Sequence, residues 1–256
     1  MPIRKLAILL PIIILLIILP ITSAQPSDPY QVVTAKILGM LSYNFYYSFS
    51  SYNQTIYNGI ASAQLSSSNT TFYPNNTATG LMSLAIQAYN SFVSGLDNGN
   101  IKNASFYLGE IIYYGIKASN PFLLPQYKNS STANYYDTMI KVELLGNLTI
   151  YKNYTVTGVV DAFLKIAKND ENIYKMLNAT TINTKSPTAK DFNLTKELLS
   201  MNLSIIYALI NYAIYNHYSN SFITEVYYLG IILSIVAISL VYLNIKRFRK
   251  NIKLKQ

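Results

Sequence analysis

The chain has 256 residues, of which 51% are hydrophobic and only 12% charged, with 24 tyrosines, one histidine and no cysteine. The missing cysteines exclude disulfide frameworks, thiol nucleophiles and thiolate metal clusters, and a single histidine excludes the common zinc and copper sites. A formal net charge of +9 would suggest nucleic-acid binding if the cations lay together on one folded face. Their placement along the chain, described below, argues against that interpretation.

The first 24 residues have the three parts of a secretory signal peptide. Arg4 and Lys5 form a basic start, residues 6–21 are apolar, and three small residues ending at Ala24 supply a cleavage site. The pattern predicts a signal peptide at 1–24 that is cleaved after Ala24. Because the apolar run is longer than the ~7–15 residues of most signals, an uncleaved N-terminal anchor is the alternative. Both readings leave the chain from Gln25 onward outside the cell.

Residues 25–225 are predicted to form an extracellular domain that is rich in glycosylation signals. Ten asparagines open an Asn-x-Ser/Thr acceptor sequence, or sequon, and none lies in an apolar flanking segment. The ten candidate glycosylation sites are Asn53, Asn69, Asn75, Asn103, Asn129, Asn147, Asn153, Asn178, Asn193 and Asn202. Asn202 is the weakest candidate, because nine residues after Asn193 is about 180° around the same predicted helix. We expect one of these two faces to be buried.

Apolar residues in this domain recur at helical spacing, which predicts a mainly α fold with a helical-bundle ectodomain. One apolar stripe follows Gly80 and is broken at residues 97–100, and a second stripe then completes a helical hairpin. A further helix is predicted from Val159 to a break at residues 169–170. The longest helix is predicted at residues 188–217.

Two other segments give weaker patterns. Residues 31–65 are predicted to form one or two tyrosine-rich helices. Residues 147–157 are predicted to form a loop, with a short β-hairpin as the alternative.

Two segments of the domain resemble each other at a fixed offset of 78 residues. Residues 69–81 read NTTFYPNNTATGL and residues 147–159 read NLTIYKNYTVTGV, with seven identities in the first twelve positions. We hypothesise a tandem duplication of helical-hairpin units over residues 43–120 and 121–216. The alternative is convergence within a composition that is rich in asparagine, threonine and tyrosine.

No motif in the chain points directly to catalysis or to a cofactor: there is no Gly-x-Ser-x-Gly elbow, no His-Glu-x-x-His helix and no phosphate loop. Asp161 and Glu110 are the candidates for a hydrolytic carboxylate pair, and His217 with Glu225 for a proton or metal site near the membrane. The simpler interpretation pairs Asp161 with Lys165 at i+4 on a solvated helix face and exposes His217. We therefore predict a non-enzymatic protein and assign no catalytic, cofactor-binding or metal residue.

A second apolar segment precedes the C-terminus. Residues 226–245 contain no charged side chain, and 20 residues is the length that a helix needs to cross a ~30 Å bilayer core. Tyrosines mark both ends of the segment, and six cations follow it in residues 246–256. We predict a transmembrane helix at 226–245 and a basic cytoplasmic tail at 246–256.

The position of these flanks explains the net charge. Eight of the 20 cations lie in the two membrane flanks, which leaves 12 lysines against 11 carboxylates between them. The extracellular domain is therefore nearly neutral and has no arginine, the residue best suited to bind phosphates. We expect membrane lipid, and no nucleic acid, as a partner.

In composition the whole chain resembles the surface glycoproteins of thermoacidophilic archaea of the Sulfolobales type. The resemblance is carried by the isoleucine- and tyrosine-rich helices, the missing cysteines and dense sequons such as Asn69-Thr70-Thr71 and Asn153-Tyr154-Thr155. It implies an archaeal cell-membrane glycoprotein whose ectodomain faces hot acid. Carboxylate salt bridges are protonated and lost there, and apolar and tyrosine packing would have to hold the fold.

From these features we expect a single-pass, membrane-anchored cell-surface glycoprotein with its ectodomain outside and its C-terminus in the cytoplasm. Its expected role is that of a non-enzymatic envelope component that binds envelope or membrane proteins. An extracellular accessory subunit of a membrane enzyme or respiratory complex is the first alternative. A surface hydrolase is the second.

Overall fold

The computed structural model describes residues 29–68, 70–72, 80–127, 148–180, 189–218 and 228–242. Within these ranges the chain is helical and contains no β-strand, which confirms the prediction of a mainly α fold. The predicted signal peptide at 1–24 and the basic tail at 246–256 lie outside the described residues.

Seven α-helices in the described ranges pack around one apolar core. In chain order they are α1 (Pro29–Met40), α2 (Tyr43–Ser50), α3 (Asn53–Ser66), α4 (Leu81–Asp97), α5 (Ile101–Ala118), α6 (Val159–Thr180) and α7 (Ala189–Ala213). Helix α7 ends in a π-helical turn, Ile214–Tyr218, and two 3₁₀ turns, Pro121–Leu123 and Pro125–Tyr127, follow α5. The tyrosine-rich region at 31–65 thus forms α1, α2 and most of α3.

Helices α4 and α5 form the predicted hairpin, and the break at residues 97–100 is confirmed. Gly99 has φ 64°, a left-handed conformation that glycine adopts without steric penalty. The amide of Gly99 donates to the carbonyl of Leu96 at 3.0 Å and the amide of Asn100 to that of Gly95 at 2.8 Å. This Schellman pattern ends α4, and the side chain of Asn100 then caps α5 by accepting from the amide of Asn103 at 3.0 Å.

Helices α3 and α5 cross with their backbones in direct contact. A Cβ atom on Gly59 of α3 would overlap the carbonyl oxygen of Phe106, and one on Gly109 of α5 would overlap the carbonyl oxygen of Ile56. Two glycines therefore make this close approach possible. Helix α5 also packs against α4 and α7, so this crossing fixes α3 to the centre of the bundle.

The predicted helix break at residues 169–170 is wrong, because α6 runs without interruption from Val159 to Thr180. Asp170 occupies the same apolar stripe as Ile166 and Ile173, and its side chain is fully buried. Burial against α7 overrides the local preference of Asn-Asp for a turn. Helices α6 and α7 consequently form a second, longer helical hairpin.

One helix in the described ranges is long and apolar enough to cross a membrane, Ala189–His217. Most of it is buried inside the bundle, and Leu198, Ile206 and Leu209 are fully inaccessible. It therefore occupies the position of a core helix, as its wide apolar surface predicts. A shorter apolar helix, α8 (Tyr228–Tyr242), covers most of the predicted span at 226–245, and all its residues are exposed.

The proposed duplication remains a hypothesis. In its favour, α4 and α6 each begin directly after a glycine with a similar positive φ, 149° at Gly80 and 159° at Gly158, which residues other than glycine rarely adopt. Against it, α4 ends after 17 residues while α6 runs for 22. The described part of the second segment, residues 148–157, forms a loop and not a β-hairpin.

Candidate functional site

The candidate glycosylation sites fall into three groups. The side chains of Asn53, Asn103, Asn153 and Asn193 are exposed. Asn202 is buried. Asn69, Asn75, Asn129 and Asn147 lie outside the described residues, and Asn178 lies in the last turn of α6.

Among the candidates whose side chains the structure describes, Asn202 is the one that is buried. Its side chain is completely buried between α6 and α7, where its amide donates to Asp170 Oδ1 at 2.8 Å. Its own carbonyl oxygen accepts from the amide of Asn169 at 3.0 Å. Because both functional groups are used inside the core, Asn202 stays the weakest of the ten predicted sites.

Asn153 lies in a loop whose residues before and after it are hydrogen-bonded to the helices. The amides of Thr149 and Tyr151 donate to the hydroxyls of Ser200 and Ser204 on α7, at 3.2 and 2.7 Å. The two serines are one helical turn apart, and this spacing brings each hydroxyl within reach of one of two alternate amides in an extended segment. Asn153 follows this segment in an exposed turn, which leaves its side chain free of the helices.

Asp161, the first catalytic candidate, lies in the first turn of α6 and pairs with Lys165, with 3.1 Å between the Lys165 Nζ and Asp161 Oδ2 atoms. Slight burial acts to raise the pKa of Asp161, but the Thr157 amide and the Lys165 ammonium hold it below the usual value. The predicted i+4 pair therefore forms, with both side chains partly exposed and the carboxylate ionised. An ionised carboxylate is a poor general acid.

Glu110 is half-buried on α5 and accepts from the hydroxyl of Ser62 at 3.2 Å. Burial raises the pKa of Glu110, and the Ser62 hydrogen bond offsets part of that effect. Burial and the nearby Glu110 carboxylate also raise the pKa of Tyr114 above its ordinary value. These groups join α3 to α5 at the glycine crossing, and no second carboxylate is described beside them.

His217 lies at the end of the π-helical turn, with its Nδ1 atom 3.3 Å from Asp97 Oδ1 at the end of α4. This pair joins the C-terminal end of α4 to the π-helical turn that follows α7. Glu225, which the sequence analysis paired with His217, lies outside the described residues. Across the described ranges no three His, Asp or Glu side chains come together as a metal site would require.

A surface cavity of about 270 Å³ lies beside the first turn of α5 and is lined by Thr55, Asn100, Lys102, Asn103 and Phe106. Lysine is the one ionisable side chain in that lining. Asp161, Glu110 and His217 are all absent from it. The cavity therefore lacks the acid and base pair that hydrolysis needs.

The most unusual polar group in the bundle is Asp170, which the sequence interpretation missed. Burial raises the pKa of Asp170 well above its usual value, and the Asn202 hydrogen bond offsets part of that effect. Its Oδ2 atom is inaccessible and has no hydrogen-bond partner. Asp170 lies four residues after Ile166 and three before Ile173, on the same face of the helix. This spacing would have predicted its burial.

An aromatic surface on α2, formed by Tyr43, Tyr46 and Tyr47, is the largest cluster of exposed rings on the described bundle; we call it the tyrosine patch. The three side chains are 73%, 42% and 55% exposed. The rings of Tyr43 and Tyr47 lie 4.7 Å apart, and Tyr46 meets Tyr47 edge to face at 5.9 Å. Helix α2 carries no charged residue, so this surface is both aromatic and neutral.

The tyrosine patch rests on a fixed support. Phe49, on the inner face of α2, is fully buried with its ring 6.1 Å from that of Phe92. Just before α2, the carbonyl of Met40 accepts from the hydroxyl of Tyr207 on α7 at 3.2 Å. The helix that carries the patch is therefore fixed to the rest of the bundle.

No family model matches the chain, and no curated protein is similar to it.

Proposed function

We propose that this protein is a single-pass membrane-anchored glycoprotein whose helical ectodomain acts outside the cell as a non-enzymatic, protein-binding component of the envelope. The observation that carries the proposal is the contrast between two apolar helices. The long helix α7 is buried in the bundle, whereas every residue of α8 is exposed.

The exposure of α8 supports its role as the anchor. Twelve exposed hydrophobic side chains in water would be a strong aggregation site, but in a bilayer they need no protein cover. The cations of residues 246–256 follow the same segment and favour a cytoplasmic end. The predicted span extends α8 at both ends to 226–245.

The tyrosine patch supports a binding role for the ectodomain. Tyrosine is enriched at protein interfaces because it buries a large ring and also supplies a hydrogen-bonding hydroxyl. A neutral partner surface would suit the patch, since charge pairing would fail at low pH as carboxylates become protonated. Envelope or membrane proteins, with membrane lipid around α8, are the proposed partners.

The proposal of a non-enzymatic role rests on the separation of the three ionisable candidates. Asp161 pairs with Lys165, Glu110 with Ser62 and His217 with Asp97, each at a different place on the bundle. A surface hydrolase thus has no supporting observation in the described residues.

The proposed topology predicts the result of proteolysis on intact cells. An antibody against residues 246–256 should detect only a short protected fragment that contains α8, because residues 25–225 would be outside. Permeabilised cells, treated in parallel, should lose the tail epitope as well. Full protection of the ectodomain in intact cells would overturn the proposal.

The tyrosine patch predicts a loss of partner binding when its rings are removed. Chemical cross-linking in native membranes should capture a partner with the unaltered chain and much less of it with Tyr43→Ser combined with Tyr47→Ser. Leu65→Ser is the matched control, because Leu65 is an apolar side chain, 81% exposed, on another helix. Equal capture by both variants would exclude the patch as the binding surface.

The identity of the captured protein separates the two binding roles. A lattice or other envelope protein would support the envelope component. A polytopic membrane complex would instead favour the accessory subunit.

A further inference from the structure

The sequons of the described ranges differ in backbone conformation, and this difference bears on when they can be modified. A transferase that requires Asn-x-Ser/Thr must contact the asparagine and the hydroxyl two residues later together. In an α-helix these two side chains point about 200° apart, since each residue turns the helix by about 100°. A sequon in the interior of a helix therefore presents its two groups on different sides of that helix.

Two exposed asparagines show this conflict directly. Asn103 on α5 is exposed, but its partner hydroxyl on Ser105 is fully buried. Asn193 on α7 is exposed, but Thr195 is fully buried and its hydroxyl donates to the carbonyl of Asp191 at 2.8 Å. Neither pair can be reached unless the helix unwinds.

Asn153 has the opposite arrangement. It lies in the loop before α6, and both Asn153 and the partner residue Thr155 are exposed. The preceding backbone is attached to Ser200 and Ser204 of α7, so the loop is presented at a fixed place on the folded bundle. Both groups that define this sequon are accessible without any unfolding.

The buried sequon at Asn202 indicates the order of events. Asn202 and Ser204 are both buried, and both make hydrogen bonds that hold the α6–α7 pair and the loop. A transferase acting on the unfolded chain would meet this sequon in an extended form and could modify it. A glycan on Asn202 would then prevent the two helices from packing, because the core leaves no room for it.

We propose that glycan transfer to this protein acts on the folded ectodomain, so that the fold selects Asn153 and protects Asn103, Asn193 and Asn202. This inference rests on the proposed function, which makes the chain a surface glycoprotein. Folding before modification would keep the α6–α7 interface intact. The loop at Asn153 would carry its glycan next to the start of α6.

Peptide mapping by mass spectrometry of the full chain, purified from its native membranes, tests this order. The expected result is a glycan at Asn153 and unmodified peptides at Asn103, Asn193 and Asn202. A glycan at any of these three helical sites, or an unmodified Asn153, would overturn the inference and leave the surface-glycoprotein proposal standing. If none of the ten sequons carried a glycan, the proposed function itself would be overturned.

Matched substitutions of the hydroxyl residues control for changes in folding. Thr155→Val should remove the mass of one glycan, whereas Thr155→Ser should retain it. Ser105→Ala should leave the mass of the glycans unchanged, and since the Ser105 hydroxyl has no hydrogen-bond partner, the bundle should keep its stability. A loss of glycan mass in Ser105→Ala would show that Asn103 is modified before α5 forms.

A variant that cannot fold provides the second measurement. Gly59→Leu should prevent the α3–α5 crossing, and if folding normally precedes modification, new glycans should appear on the helical sites of the unfolded chain. An unchanged glycan pattern in Gly59→Leu, with unfolding verified by protease sensitivity, would show that the fold does not control site selection.

Discussion

Gly59→Ala should destabilise the ectodomain by about 3 kcal/mol, at the upper end of the range for overpacked cores. The added methyl group would overlap the carbonyl oxygen of Phe106, which is backbone and cannot rotate away. Helices α3 and α5 would have to move apart along their whole contact. In a domain of this size the midpoint of thermal unfolding should fall by roughly 6–12 °C.

The change can be followed by the near-ultraviolet circular dichroism of the tyrosines in the detergent-solubilised full chain. Gly39→Ala is the matched control, since a Cβ on Gly39 meets no atom within 4 Å. In that helix alanine should stabilise by up to about 1 kcal/mol, through its higher helix propensity. The two glycine substitutions should therefore have opposite signs.

Gly109→Ala tests the same crossing from the other helix, because its Cβ would overlap the carbonyl oxygen of Ile56. The loss of unfolding free energy should be similar to that of Gly59→Ala. The double variant should lose less than the sum of the two single losses, since either change alone separates the helices. Unaltered stability in both single variants would mean that α3 and α5 do not approach this closely.

Asp170→Asn should abolish a fall in stability that the natural protein shows as the pH rises from acid towards neutrality. The pKa of Asp170 is raised in the folded state by burial and has its ordinary value, 3.8, in the unfolded chain. Above this value the unfolded chain has released the proton and the folded chain still holds it. Unfolding then releases a proton, so stability decreases with rising pH by at most about 1.4 kcal/mol per pH unit.

The fall in stability continues until the pH reaches the pKa of Asp170 in the folded state. It is absent below the pKa of Asp170 in the unfolded chain, because there the carboxyl is protonated in both states. Asparagine keeps the acceptor for Asn202 and cannot ionise. Urea unfolding of both proteins at several pH values should therefore show curves that converge in acid and diverge towards neutrality, with the variant more stable. Parallel curves would show that Asp170 ionises in the folded state as readily as in the unfolded chain.

Asp161→Asn provides a control of opposite sign. The pKa of Asp161 is lowered in the folded state by its Thr157 and Lys165 partners, so its contribution is present above the ordinary value and is lost as the pH falls. This variant should differ from the natural protein near neutrality and match it in strong acid.

The helical hairpin of α4 and α5 could be predicted from the sequence because its determinants are local. The apolar spacing sets the helices, and the turn residues around Gly99 end α4 in a left-handed conformation that few other residues adopt. The i+4 pair of Asp161 and Lys165 is equally local, and it forms as predicted. The sequence also indicated that Asn193 and Asn202 lie on opposite faces of one helix.

The outcome at Asp170 and at the α3–α5 crossing was decided by tertiary contacts. Asn169 and Asp170 look like a helix break, but the partner that keeps them helical, Asn202, lies 32 residues beyond Asp170. Gly59 and Gly109 look like weak points of two helices, and only their mutual approach shows that they make the crossing possible. Local composition determines which segments become helices, since backbone preference acts within a few residues. Which polar groups are buried, and which sequons keep both groups accessible, depends on packing between distant segments, because burial is a property of two surfaces brought together.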